Sequence, residues 1–257
     1  MIHQPCVIDM DGTIYCGNKP TPFAAEFIGR LRIDGTPFTL MTNNPSRSPL
    51  EIARRLDKMG ISVSEDEIIT SADVAVHSLL EAGAKSVFIL GSAYLSALAS
   101  DGNIPQTDDK PEYVLIGHTQ DFHYRDLAKA AQLISAGSKF LCTDLDHAIP
   151  SDGQMLPHTG AMAAYLQAAT GQKPRNTGKP ERCFLDAACA RLSCGPEELI
   201  LIGDNLDTDI AMGARYGAAT ALMLTGMTSE KALQTASVVP TYVLHDLGEI
   251  IDGNFAT

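Results

Sequence analysis

Short apolar runs alternate with amphipathic segments along almost all of this 257-residue chain, and that alternation restricts the fold more than any other feature. Residues 5–9, 37–41 (Pro-Phe-Thr-Leu-Met), 86–90, 113–116, 139–142, 199–202 (Leu-Ile-Leu-Ile) and 219–224 read as short buried strands. Between them the apolar residues recur at helical spacing. Thr21-Pro22 opens a helix with Phe23, Phe27, Ile28 and Leu31 on one face, and Pro22 suits the first helical position. Ser48-Pro49-Leu50-Glu51 reads as a capping box leading into Ile52, Ala53, Leu56 and Met59, with Gly60 offering a left-handed stop. Further helical segments fall near 72–82, 124–136, 159–169, 181–193 and 208–216. Strands that alternate with helices in this way form parallel sheets covered by helices, an α/β protein.

Composition narrows the function classes. The length suggests one or two domains, and 45% hydrophobic residues suit an ordinary globular chain. A net charge of −12 argues against nucleic acid and against an anionic membrane surface, because both call for a basic face. A small anionic substrate stays open, provided that a metal or a lysine supplies local positive charge. The six cysteines (Cys6, Cys16, Cys142, Cys183, Cys189 and Cys194) show neither a CxxC pair nor zinc spacing, and they fit a reducing, cytoplasmic setting. Met1-Ile2-His3-Gln4-Pro5 lacks the pattern of a signal peptide, and no run approaches the ~18 apolar residues that span a bilayer.

Three polar motifs each follow a strand-like run. Asp9-Met10-Asp11-Gly12-Thr13 follows Cys6-Val7-Ile8; Thr42-Asn43-Asn44 follows Phe-Thr-Leu-Met; Gly203-Asp204-Asn205-Leu206-Asp207-Thr208-Asp209 follows Leu-Ile-Leu-Ile. Ligands of open parallel sheets bind outside the carboxyl ends of the strands, so neighbouring strands bring these motifs to one crevice. Each motif meets a need of phosphoryl transfer. Asp9 and Asp204 can hold Mg²⁺, a hard ion that prefers oxygen ligands. Thr42 and the backbone N–H groups after it can donate to phosphate oxygens. Lys179, in Thr177-Gly178-Lys179-Pro180, can neutralise charge on the transferring group.

Taken in order, the Asp9–Thr13 motif, Thr42, Lys179 and the Gly203–Asp209 motif resemble the four motifs of the haloacid dehalogenase superfamily. Ile8 to Tyr15, Thr42-Asn43-Asn44, Gly178-Lys179-Pro180 and Gly203 to Ile210 look closest to its NagD-like branch. The resemblance implies a Rossmann-like parallel sheet core, residues 1–77 and 178–257, with an inserted α/β cap at 78–177. It implies a two-step hydrolysis in which Asp9 attacks phosphorus and Asp11 protonates the leaving alkoxide and then deprotonates water. It assigns Mg²⁺ to the Asp9 and Asp204 side chains and the Asp11 carbonyl. Phosphate falls to Thr42 and the Asn43 backbone, and Lys179 bridges Asp9 and phosphate. Asp209 orients Lys179 or metal-bound water, with Asn205 as a further supporting residue. Asp11 favours a phosphatase over a dehalogenase, because a departing alkoxide benefits from a general acid and a halide does not. The implied substrate is a small phosphorylated metabolite; relatives act on nucleoside monophosphates, sugar phosphates, phosphoglycolate, pyridoxal phosphate or glycerol phosphate. The resemblance also allows a homodimer through the cap. A phosphotransferase and a non-catalytic phosphometabolite-binding protein are the rival readings.

Other polar groups are less committed. Asp207 reads as a solvated turn or helix start. Where the family commonly has Asn-x-Asp, this chain has Asp144-Leu145-Asp146, which is either a hydrogen-bonded turn or a cap loop that meets the substrate's leaving group. His118, His123, His147 and His158 read as surface or core histidines, with His147 alone a candidate substrate contact beside Asp146. Calcium-loop spacing fails from both Asp9 and Asp207, and Thr177-Gly178-Lys179-Pro180 lacks the Ser or Thr of a Walker motif.

Overall fold

The first strand, β1 (Cys6–Asp9), is buried at all four positions, as a strand covered on both faces must be. In the computed structural model, which describes residues 4–151 and 154–253, it opens a long βα series. Met1, Ile2 and His3, read above for a leader, lie outside the described residues. After β1 come a small flap, β2 (Tyr15–Cys16) with β3 (Lys19–Pro20), then α1 (Ala24–Ile33), β4 (Phe38–Thr42), α2 (Pro49–Asp57) and β5 (Ile68–Thr70). The chain continues through α3 (Ser71–Glu81), β6 (Val87–Leu90), α4 (Ala93–Asp101), β7 (Tyr113–Ile116), α5 (Tyr124–Ser135) and β8 (Lys139–Cys142). A hairpin of β9 (Ala148–Ser151) and β10 (Gln154–Pro157) leads to α6 (Thr159–Thr170) and β11 (Arg175–Asn176). The last part holds α7 (Arg182–Leu192), β12 (Ile200–Gly203), a π-type turn at Leu206–Ile210 that runs into α8 (Ala211–Tyr216), β13 (Ala219–Met223), α9 (Glu230–Leu233), β14 (Tyr242–Leu244) and α10 (Gly248–Asp252).

The chain divides into two compact units. One gathers the residues up to Thr42, Pro49–Ile69 and those from Lys179 onward; the other holds Asn43–Ser48 and Thr70–Gly178. The first carries a six-stranded sheet of order β14-β13-β12-β1-β4-β5. Alternate strand residues Cys6, Ile8, Leu40, Ile202 and Met223 pack with Phe27 and Leu31 of α1, Ile52 and Leu56 of α2 and Ile250 of α10. By the two-residue period, Val7, Leu201 and Leu222 face the other way, where α7 meets β4 and α8 meets β13.

The second unit repeats the plan with a four-stranded sheet, β11-β8-β7-β6. Val114 and Ile116 of β7 turn towards Leu127, Leu133 and Ile134 of α5 and Met162 and Leu166 of α6. Tyr113 and Leu115 turn towards Val76 and Leu79 of α3 and Leu95 of α4. This packing draws α3 into the second unit, so that unit takes in chain before residue 78, the boundary expected from the sequence.

The local readings differ from the structure where backbone chemistry overrides pattern. Helix α1 starts at Ala24, not at Pro22: Phe23 adopts φ 63° and is half-exposed, and the Thr21 hydroxyl donates to the Thr13 carbonyl (2.6 Å) instead of capping the helix. The segment expected as one helix at 208–216 is a π-type turn followed by α8. The short strands β5, β11 and β14 and the β2–β3 and β9–β10 hairpins carried no periodic signal long enough to read. Among the described residues no helix is long and apolar enough to cross a membrane.

Helix α8 lies close against β13 at Gly213. A Cβ added there would sit 2.2 Å from Thr220 Cγ2 and 3.1 Å from Leu201 Cδ1, and a β-branched neighbour has little freedom to move aside. Gly213→Ala is therefore expected to destabilise the protein by about 1–3 kcal/mol through overpacking. Urea unfolding of the variant beside the parent measures this.

Candidate active site

Parallel register places the first and third motifs level. Ile8 of β1 pairs with Ile202 of β12, and Asp9 pairs with Met41 of β4. Asp9, Thr42 and Gly203-Asp204 therefore emerge together at the carboxyl edge of three adjacent strands, where open parallel sheets build sites. All three side chains are buried: Asp9 is 7% exposed, Thr42 3% and Asp204 3%.

Lys179, itself 4% exposed, supplies the cation. Its Nζ donates to Asp9 Oδ1 in a short contact and to Asp209 Oδ1 at 2.7 Å. Asp9, Asp204 and Asp209 each present a carboxylate oxygen within 4.8 Å of the other two. Asp204 is held by the Met227 N–H on its Oδ2 (2.6 Å), and the Thr228 N–H bonds its carbonyl (3.1 Å). Gly12, at φ 86°, leaves room for that carboxylate: a Cβ on it would fall 2.2 Å from Asp204 Oδ2, so the motif position requires glycine on two counts.

Three buried carboxylates facing one ammonium are electrostatically unbalanced. Burial, reinforced by Asp209 and Asp204 and opposed by Lys179, pushes Asp9 well above the usual carboxylate range. Burial and then Asp209 push Asp204 up to about 7, against the pull of the Met227 N–H and Lys179. Burial alone would lower the Lys179 ammonium, but Asp209 and Asp9 outweigh it and hold it above the ordinary lysine range. Such a cluster of hard oxygen donors, short of positive charge, suits a divalent cation.

Asp11 stands apart from that cluster. It is exposed, and its Oδ2 accepts the Tyr15 hydroxyl at 2.9 Å. The Arg55 guanidinium lies 4.3 Å over the Tyr15 ring and donates to the Gly17 carbonyl, tying α2 to the flap. Asp207 is exposed, with its N–H on Asn205 Oδ1 (2.9 Å), as a solvated helix start would have it.

Asn43, Asp144 and Asp146 belong to the second unit and meet one another there. Asn43 Nδ2 donates to Asp146 Oδ2 at 3.0 Å, and the Asp146 N–H donates to Asp144 Oδ1 at 3.2 Å. Asp144 is fully buried against His158 (Nδ1 to Oδ1, 3.1 Å), whereas His147 is exposed and bonds the Leu145 carbonyl. Sequence reasoning assigned no role to Tyr15, Met227 or His158. Tyr15 had a signal, four residues beyond Asp11 in the same motif; the Met227 N–H, 23 residues from Asp204, had none.

Without divalent metal, Asp204→Asn removes the cost of a buried charge. The raised folded pKa means that the folded protein holds a proton which the unfolded chain releases, so parent stability rises as pH falls from about 7 towards 4. The variant is expected to be more stable than the parent by about 2–4 kcal/mol at pH 8, with the gap narrowing below pH 7 and closing near pH 4. Urea unfolding in chelator across that range tests it.

Known proteins resemble this chain in sequence and in fold. A haloacid dehalogenase-like hydrolase family model matches residues 6–104, and a HAD-hydrolase-like model matches residues 176–250. The acid sugar phosphatase of Staphylococcus saprophyticus is 34% identical over 251 residues, which cover 97% of each chain. Among solved structures, NagD from E. coli K-12 superposes with a TM-score of 0.91 at 28% identity, covering 97% of this chain and 98% of its own. The glycerol phosphate phosphatase of Mycobacterium tuberculosis in complex with magnesium gives 0.89 at 32% identity, covering 96% of this chain and 76% of its own. With the motif residues gathered at one sheet edge and a relative matched along nearly its full length, the chain belongs to the haloacid dehalogenase-like hydrolases as a NagD-like phosphatase.

Proposed function

We propose that the protein is a Mg²⁺-dependent phosphatase that hydrolyses a small phosphomonoester through an aspartyl phosphate. The observation that carries this reading is the division of labour between its carboxylates. Asp9 is buried on Lys179 beside Asp204 and Asp209, while Asp11, two residues away, is exposed and held separately by Tyr15. A binding protein needs no such pair.

In the first step an Asp9 carboxylate oxygen forms a bond to phosphorus as the bond from phosphorus to the ester oxygen breaks, and Asp11 passes its proton to the departing alkoxide. In the second, Asp11 takes a proton from water as that oxygen attacks phosphorus, and the Asp9–phosphorus bond breaks to free phosphate and the carboxylate. Lys179 favours the ionised nucleophile and balances charge on the phosphoryl oxygens, while Asp209 fixes its ammonium. Thr42 and the Asn43 N–H donate to the phosphoryl group. The Asp9 and Asp204 side chains and the Asp11 carbonyl would hold Mg²⁺, which supplies the positive charge that the carboxylate cluster lacks. Asn205 supports the turn that carries Asp207 and Asp209.

The unit Thr70–Gly178 is assigned as the cap. Sugar phosphates and glycerol phosphate are the first substrates to test, because the matched proteins carry those names. The test is phosphate release from sugar phosphates, glycerol phosphate, nucleoside monophosphates and 4-nitrophenyl phosphate, with Mg²⁺ and with chelator. Release is expected to vanish in chelator and to fall about 10³-fold or more in Asp9→Asn. Asp11→Asn is expected to lose about 10²–10⁴-fold on glycerol phosphate and distinctly less on 4-nitrophenyl phosphate, whose leaving group needs little protonation. Full activity in Asp9→Asn would remove it as nucleophile. Transfer to an added alcohol in preference to water would make the protein a phosphotransferase.

A further inference from the structure

Within the second unit lies a chain of buried polar groups that the reaction above does not use. Asp144 has no exposed surface; its Oδ1 meets His158 Nδ1 (3.1 Å) and the Asp146 N–H (3.2 Å), and its Oδ2 accepts the Thr143 hydroxyl (2.9 Å). A carboxylate taken out of water is costly unless donors surround it, so these three bonds hold both it and the loop that bears them. His158, 1% exposed, precedes α6 and stacks on His118 with ring centroids 4.3 Å apart and planes inclined by 18°. Burial, then His158, depresses His118 to about 4, leaving it a neutral slab at ordinary pH.

The loop is fastened to α6 by its backbone as well. The His158 N–H donates to the His147 carbonyl and the Gly160 N–H to the Asp146 carbonyl, both at 2.9 Å. What the loop presents is Asp146, whose Oδ2 accepts the Asn43 side-chain amide at 3.0 Å. Asn43 is bonded directly to Thr42. Gly178, the residue before Lys179, packs on the same loop: a Cβ there would lie 2.5 Å from the Thr143 carbonyl and 2.9 Å from Asn43 Oδ1. Asp144, Asp146 and His158 also cluster closely enough to suggest a cation. Their facing atoms are already spent on one another and on Asn43, which favours a hydrogen-bonded relay over a metal centre.

We propose that His158 and Asp144 are positioning residues, a buried pair that fixes the 143–147 loop so that Asp146 holds Asn43 and the turn after Thr42 in the conformation that binds phosphate. This rests on the phosphatase reading only in taking Asn43 as a phosphate donor. It makes Asp146 a brace for the phosphate turn and not a reader of the leaving group. The two roles separate cleanly, because a leaving-group contact does not alter the affinity for inorganic phosphate.

The test uses the full chain with Mg²⁺ and three variants: His158→Leu, which keeps volume and loses the donor; His158→Asn, which restores an N–H donor near the Nδ1 position; and Asp146→Ala, in a half-buried loop position. Calorimetry with inorganic phosphate, KM and kcat, and the side-chain amide signal of Asn43 in ¹H–¹⁵N spectra are the readouts. His158→Leu and Asp146→Ala are each expected to weaken phosphate about tenfold, to raise KM by a similar factor with kcat within about threefold, and to shift the Asn43 signal. Their combination is expected to lose no more than either alone, and His158→Asn to lie near the parent. Unchanged phosphate affinity and an unmoved Asn43 signal in Asp146→Ala overturn the proposal, even if His158→Leu does not fold. A parent that binds phosphate but releases none from any ester overturns the phosphatase reading and leaves the positioning result standing.

Discussion

The ammonium of Lys179 is the interaction on which the first unit's site depends. It sits between Asp9 and Asp209, almost wholly buried, and it is the one cation in direct ion-pair contact with the carboxylate cluster among the described residues. Removing a partner from such a group leaves a buried charge without compensation, a far larger penalty than the net worth of the pair. The same imbalance that makes the cluster expensive makes it useful. Carboxylates pushed above their ordinary range by burial and by one another suit a divalent cation, which relieves part of the cost.

The sheet makes this arrangement affordable. Parallel strands in fixed register deliver Asp9, Thr42 and Asp204 at one level, where the long side chain of Lys179 meets Asp9. The most crowded positions are backbone ones. Gly12 gives way to the Asp204 carboxylate, and the Met227 N–H donates to the same oxygen. The second unit uses the same architecture. Its sheet carries α5 and α6 on one face and α3 and α4 on the other, and the loop after β8 is locked to the start of α6 by Asp144 and His158.

Much of this was legible in the chain. The apolar runs at 113–116 and 139–142 coincide with β7 and β8, and the other long runs lie within a residue or two of the observed strands, because a buried strand needs a continuous apolar stretch. The acidic and Thr42 motifs were legible because Asp9, Thr42 and Asp204 each end or directly follow a strand, a local pattern. Strands of two or three residues, such as β5, β11 and β14, were not legible, since their pairing comes from the sheet and not from a period of their own. Helix α1 began late because Thr21 found a carbonyl partner eight residues away. Asp144 looked like a loop carboxylate, and its burial could not be foreseen without the position of His158, fourteen residues on.

The sequence by itself thus determined the α/β class, the order of its longer apolar strands and the carboxyl-end placement of its acidic motifs, all of which follow from local periodicity and from the residues that end a strand. Beyond the Lys179–Asp9 contact, which the family resemblance had implied, only the tertiary structure decided which side chains meet. Asn43 reaches Asp146 across 103 residues, and His118 comes to lie flat on His158. Such pairings depend on strand order and register, which join residues far apart in the chain, and no local pattern encodes them.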